Sequence, residues 1–402
     1  MKLLRTLVLA CALALAPATV FAQITPEALP AAIKAAKPGE RLVLGAGVFP
    51  PVLLLGRDGV TISGPREAVL PSVRILNSSN IGLEGLTVRF APDAAATSNS
   101  QAIRIWQSQN VRLSGLLIEG GPAVNGVPAE AERLDRTGNV IGLPVGKGVH
   151  IDRSNDVTVE RSEIRLFHKG VTLAQVRRVK LLDLDIHDLR TTPISGGDAS
   201  DLEIARIHAW RSTPWKLSGA GDHGDFIHIW TSTEQTEPSA NVRIVDSLWE
   251  QRDGAALLGI YLDDNTNAKG FLATEIRRNV LVMSDGQGLR LERVSGVVRD
   301  NILLWNGGTG DHRKHPQIVI AGVTNDLTVE GNRARAVALP KLGAEGAKVG
   351  ANDLRLTAAG EASTAATGWL QRHRALPGLI DKVERWLADG AALRAELMSR
   401  RN

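Results

Sequence analysis

The segment GDHGDFIHIW (221–230) places Asp222, His223, Asp225 and His228 close together, with Trp230 at its end. An imidazole titrates near neutrality, so His228 or His223 can act as a proton acceptor at ordinary pH. Two later segments, GIYLDD (259–264) and GLRLER (288–293), bring Tyr261, the chain's only tyrosine, and Arg290. A phenol can donate or accept a proton, and a guanidinium stabilises charge that develops during a reaction. The candidate catalytic residues are therefore His228, His223, Tyr261, Arg290 and Asp225. Lys216, Trp230, His150, Arg104, Arg252 and Arg313 offer cations, a polar ring and a flat apolar face, and are candidates for holding a ligand. Asp222, Asp263 and Asp264, with Asp225, add hard oxygens that suit Ca2+, the one cofactor these residues suggest. A compact Zn or Mn site fits less well, because ligands so spaced lie along a strand rather than around a point.

These residues are distant in sequence, so regular elements must bring them together. A recurring G-φ-x-φ segment, φ being apolar, is the carrier: AIRIW (102–106), GVHID (148–152), GVTLA (170–174), DFIHIW (225–230), GIYLDD (259–264), GLRLER (288–293) and QIVIAG (317–322). Side chains alternate across a strand. Placing Ile103, Val149, Val171, Ile227, Ile260, Leu289 and Ile318 inward turns Arg104, His150, Thr172, His228, Tyr261, Arg290 and Val319 outward. Two positions further on, the same face carries Trp106, Asp152, Trp230, Asp263 and Glu292.

A second pattern repeats around these segments: an Asn or Asp turn, then two φ-x-φ strands. Examples are SNIGLEGLTVRF (79–90), QNVRLSGLLIEG (109–120), NDVTVERSEIRLF (155–167), RRVKLLDLDIHDL (177–189) and SGVVRDNILLW (295–305). Several repeats are spaced by about 22 residues, and longer gaps hold loop insertions. Coils of this length cannot bury their inward residues alone, so neighbours must stack on one apolar column. The expected fold is all-β, a right-handed parallel β-helix over 23–340. His228, Tyr261 and Arg290 then fall on successive coils, about 4.8 Å apart.

The segment TPEALPAAIKAAKPGERLVLGAGVF (25–49) reads as a short helix broken at Pro38-Gly39 and followed by the first strand, a cap for the open end. Residues 341–402 read as an extension whose helices pack on the coil. Residues 1–22 carry Lys2 and Arg5, a short apolar run and a cut before Gln23, the pattern of a bacterial secretory signal peptide, which implies a secreted or periplasmic protein. The only cysteine, Cys11, lies within it, so the mature chain has no disulfide, thiolate nucleophile or Cys-bound metal. Among 402 residues, 43% are hydrophobic and 22% charged, which excludes intrinsic disorder. Losing Lys2 and Arg5 takes the formal charge from +4 to +2. No stretch is long and apolar enough for a membrane span, and no dinucleotide or nucleic-acid motif is present.

The entry segment, its continuation ISG (62–64) and the repeats resemble secreted β-helix proteins of the pectate-lyase-like superfamily, including chondroitinase B-like and alginate-lyase-like polysaccharide lyases. The DHGDFI stretch resembles segments at the active clefts of β-helix enzymes that act on uronans. The resemblance implies a polysaccharide lyase that cleaves an acidic, uronic-acid-containing polymer by β-elimination; the chain is expected to act as a monomer. Such chemistry needs a base for the C5 proton, a cation for the carboxylate and an acid for the leaving oxygen. Reprotonation from the other face instead makes a C5-epimerase. The Asn/Glu calcium cluster with Lys and Arg that the resemblance would bring has no match here. Inverting β-helix hydrolases resemble the aspartates Asp225, Asp263 and Asp264, but their N-T-D, G-H-G and R-I-K set is missing. A carbohydrate-binding solenoid without catalysis would use Trp106, Trp230 and Arg104 as platforms.

Overall fold

The computed structural model describes residues 23–90, 97–120, 133–134, 140–141, 144–214, 216–217, 220–251, 257–264, 269–307, 312–341 and 343–373. The signal-like segment, Arg252, most of the 121–147 insertion and the tail from 374 lie outside them.

Short parallel strands wind into a three-sided coil, the expected β-helix. The first side contains Val73–Leu76, Gln101–Trp106, Lys147–Asp152, Asp225–Trp230, Leu258–Asp263, Gln287–Leu291 and Gln317–Ile320. The second contains Ser79–Glu84, Gln109–Ser114, Asn155–Glu160, Val242–Val245 and Val294–Arg299. Two long strands, Lys169–Leu182 and Ile194–Ala205, run from the first side into the second and pair with each other along both. The third side is a separate sheet running from Gly47–Val48 to Asp353–Leu354.

The inward positions behave as the alternation requires. Ile103, Val149, Val171, Ile227, Ile260, Leu289 and Ile318 are all buried in one continuous core. The bend between second and third sides falls on a left-handed residue in coil after coil, among them Gly115 (φ 64°), Asp183 (φ 54°), Arg206 (φ 54°), Asp246 (φ 53°), Arg278 (φ 53°) and Gly331 (φ 67°). A side chain there costs about 1 kcal/mol. Ion pairs between stacked bends offset part of it: Arg206 Nε lies 2.6 Å from Asp183 Oδ1 and Arg278 Nε 2.5 Å from Asp246 Oδ1. Just inside the bend, Asn279, Asn301 and Asn332 form a buried ladder in which each Nδ2 donates to the next Oδ1, at 3.0, 2.9 and 3.0 Å, ending on Asn352. Stacking satisfies amides that would otherwise be costly to bury.

Helix α1 (Leu29–Ala35) buries Leu29 and Ile33 over the first coil. Coiling continues beyond residue 340, through Ala347–Val349 and Asp353–Leu354, because these short strands still pair in parallel although they lack the apolar repeat. Helix α2 (Glu361–Arg372) then folds back and lays Ala366, Trp369 and Leu370 on Leu248, Val280 and Val282 of the third side. Among the described residues, no helix is long and apolar enough to cross a membrane.

Candidate active site

The first side carries one outward row in strict register. Arg74 pairs with Arg104, Arg104 with His150, His150 with Thr172, Thr172 with Ser195, Ser195 with His228, His228 with Tyr261, and Tyr261 with Arg290. The coil thus joins residues more than two hundred positions apart into one line. His228 and Tyr261 stack face to face, with ring centroids 4.8 Å apart and planes at 6°. Trp230 stands edge-on to His228 at 5.2 Å.

Trp230 needs Gly197, its partner on the preceding coil. A Cβ on Gly197 would lie 2.9 Å from Trp230 Cδ1 and Cε2 and closer still to Nε1. The indole therefore lies where any other residue would push it away, and its edge closes one flank of the imidazole.

Carboxylates bracket the ring. Asp263 Oδ2 is 3.3 Å from His228 Nε2, and Asp225 Oδ2 is 3.7 Å from Nδ1. The first is within hydrogen-bond reach and fixes the ring with Nε2–H toward Asp263, leaving Nδ1 for a proton. Burial raises the pKa of the Asp225 carboxyl, against the pull of His228, His223 and Lys169. The Tyr261 hydroxyl donates to Glu292 Oε1 at 3.0 Å, and Arg290 holds the same oxygen from Nη2 at 2.8 Å and Nε at 3.0 Å. Burial first, and the Glu292 carboxylate second, raise the phenol's pKa, so Tyr261 stays protonated and acts as a donor. Two buried oxygens at this level, Asp225 Oδ1 and Ser195 Oγ, lack a hydrogen-bond partner. Buried polar atoms are normally paired, so these orphans, beside an imidazole and a phenol, make this level the candidate place for a ligand's polar groups.

The structure brings together His228, Tyr261, Arg290, Asp225, Trp230 and Asp263. Other expectations change. Asp222 is not open to a cation: Arg190 grips it with two bonds, Nε–Oδ2 at 2.6 Å and Nη2–Oδ1 at 2.8 Å, both side chains being buried. Asp264 faces away from Asp263, as alternation demands, and takes bonds from Thr231 Oγ1 at 2.6 Å and the Gly270 N–H at 3.0 Å, with Arg293 at 2.9 Å. The three carboxylates considered for calcium thus point to different places, and among the described residues no group of three or more His, Cys, Asp or Glu could hold a metal. Arg290 is not a free cation, since Glu292 already pairs with it. His223 is exposed and acts on Asp225 through charge. Lys216 lies in a two-stranded hairpin, Lys216–Leu217 with Ala220–Gly221, just before the DHGDFI stretch. Arg313 is exposed on the turn His312–Lys314, which leads into the coil after Arg290. Arg104 and His150 lie on the row itself but several coils before His228. His187 and His208 sit on the third side, stacked on Trp210 at 4.7 and 5.8 Å and bonded to Asp188 and Glu250, where they build the wall.

Sequence reasoning missed Ser195 and Gly197, because ISGGDAS (194–200) has no φ-x-φ signature. The gap between Thr172 and His228, more than two repeats long, was the available signal. It also missed Arg74 and Lys169, which lie in or open strands of the same side; Lys147 closes the 121–147 insertion, which the sequence suggests as one wall of the groove.

A tailspike protein, Dettilon gp208, shares this architecture at TM-score 0.56 and 15% identity, over 83% of this chain and 63% of the tailspike. The fold is the right-handed parallel β-helix. This β-helix spans less than two thirds of the tailspike's length. It is also similar to PfbA, a surface adhesin of Streptococcus pneumoniae, at TM-score 0.46 and 11% identity, over 83% of this chain and 88% of that one. A DFA-IIIase from Arthrobacter chlorophenolicus A6, without its lid, gives 0.46 and 11%, over 85% and 94%. No protein-family model and no curated protein matches the sequence. Such different neighbours leave the chemistry to be argued from the site.

Proposed function

We propose that this β-helix is a carbohydrate-active enzyme of the polysaccharide lyase type, acting on a uronic-acid-containing polymer. One observation supports the reading above the rest: a base, His228, and a protonated donor, Tyr261, stack at 4.8 Å in the middle of the outward row. In the proposed step His228 Nδ1 takes the C5 proton, the freed electron pair forms the C4–C5 double bond, the C4–O bond breaks, and Tyr261 gives its proton to the departing oxygen. Asp263 stabilises the imidazolium as it forms, as a carboxylate does for any oriented catalytic histidine. Arg290 neutralises the substrate carboxylate by exchanging it for Glu292. Action on a polymer also fits export, which the leader-like N-terminal segment suggests.

Purified protein is to be mixed with alginate, pectate, glucuronan and glycosaminoglycans while ultraviolet absorbance of the unsaturated uronate is followed. Absorbance should appear with one of them, and His228→Ala should lower the rate at least about 100-fold without changing Tm. Exchange of the C5 hydrogen without absorbance would instead make it an epimerase. A second reading, an inverting hydrolase, draws on Asp225, whose raised carboxyl suits a general acid, with Asp263 as its base; reducing ends without absorbance would favour it. Binding with no turnover of any polymer would leave a carbohydrate-binding solenoid.

A further inference from the structure

Before the His228 level, the row changes character. Arg74 and Arg104 occupy successive coils, and the neighbouring row three positions earlier carries Lys147 and Lys169, again in register with each other. All four are half-buried. Among the described residues, none has a carboxylate within ion-pair distance; Asp152, the acid whose charge reaches Lys147, leans toward Arg153 at 3.6 Å. Arg74 bonds only the neutral Gln101, at 2.9 Å. Arg104 lies 5.7 Å from the centre of the Trp106 ring, and its Nε is buried without a partner. Elsewhere on this coil arginines meet carboxylates, as Arg112 meets Glu160, Arg178 meets Asp156 and Arg243 meets Glu275.

Like charges packed a coil apart and partly out of water raise the energy of the empty protein. Burial lowers the pKa of both lysines, Lys169 despite Asp225 and Asp222 beyond it, and Lys147 further through Lys169. An anion lying over them removes that penalty. On the other side of His228 the row carries Arg290, already paired with Glu292, and ends in Val319 and Ala338. From the Arg74 coil to the Lys169 coil is three steps, about 14 Å.

We propose that Arg74, Arg104, Lys147 and Lys169 form an anion track that holds acidic groups on consecutive sugars of the polymer, all on the N-terminal side of His228. The inference deepens the lyase reading and rests on it for the word sugar. It narrows the substrate class to a glycan with acidic groups on neighbouring units, such as a polyuronate block, rather than isolated acids in a neutral chain.

The test separates binding from catalysis. His228→Ala protein, unable to turn substrate over, is run in affinity gels containing alginate, polygalacturonate or glucuronan, with neutral dextran as control. Retardation by at least one polyuronate and none by dextran is expected, weakening steeply with salt. Lys147→Gln and Lys169→Gln should each weaken that binding about tenfold, the low end for a charge-assisted hydrogen bond. Both substitutions should also raise Tm without ligand, because they remove a buried like charge; a merely structural role would lower it. In active protein the same substitutions should raise KM and leave kcat nearly unchanged. Retardation by no polyuronate, or equal retardation of the double variant that combines Lys147→Gln with Lys169→Gln, would overturn the track, even if turnover of some polymer stands. Loss of retardation in the double variant with no turnover of any polymer by the wild type would uphold the track and remove the lyase reading.

Discussion

His150 sits within the cationic stretch and reports on it. Burial first, then Lys147 and Arg104, lower its pKa from 6.5 to about 4. Its Nδ1 lies 2.7 Å from Thr172 Oγ1, so the neutral ring has a partner on the next coil. In the unfolded chain the ring takes its proton as pH falls through 6.5, whereas in the folded chain it stays neutral until about 4. Its contribution is therefore complete above about 6.5 and is lost as pH falls toward about 4. At 1.36 kcal/mol per pH unit, the loss between pH 7.5 and 5 is about 2 kcal/mol, and solvent screening of this partly open ring reduces it to about 1 kcal/mol. His150→Gln keeps a hydrogen-bonding group for Thr172 but cannot titrate. Urea unfolding of both proteins at pH 7.5 and pH 5 isolates the effect, because every other group cancels in the comparison. The wild type should lose about 1 kcal/mol more than the variant over that interval. Lys147→Gln should shrink the difference by letting the ring protonate earlier. Equal losses in wild type and His150→Gln would show that the ring does not feel these cations, and the electrostatic argument for the track would fail with it.

Three further outcomes follow from the same geometry. Gly197→Ala should displace the Trp230 indole and reduce turnover about tenfold or more while leaving the fold intact, since both side chains face outward; unchanged kinetics would remove Trp230 from the site. Glu292→Gln should free Arg290 and lower the Tyr261 pKa, because a raising charge is lost; KM for a uronan should fall and the alkaline limb of the pH–rate profile should move down, and an unmoved limb would take Tyr261 out of the proton-donor role. Asp222→Asn should cost about 3 to 5 kcal/mol in urea unfolding, because it removes the carboxylate that grips the buried Arg190 guanidinium with two bonds. A loss of turnover without that destabilisation would return Asp222 to the reacting groups.

Several features were legible in the residues alone. Alternation within GVHID, DFIHIW and GIYLDD decided which side chains face the core, since a strand has only two faces and Val149, Ile227 and Ile260 must take the inner one. The repeat of about 22 residues then made stacking the solution for burying that face, and stacking put His228 beside Tyr261. Ion pairing was not legible. Whether Asp222 meets a cation or Arg190 depends on where the bend after the third side returns, and Arg190 is 32 positions away. Asp263 and Asp264 look equivalent as letters, yet one reaches His228 and the other Arg293, because adjacent residues leave a strand on opposite sides. The coil through Ser195 and Gly197 was hidden because its outward surface needs small residues to seat Trp230, and small residues carry no periodic signal. Local pattern thus determined the column and its facing, while the pairing of charges, and with it the free or occupied state of each candidate, was decided only by contacts between coils.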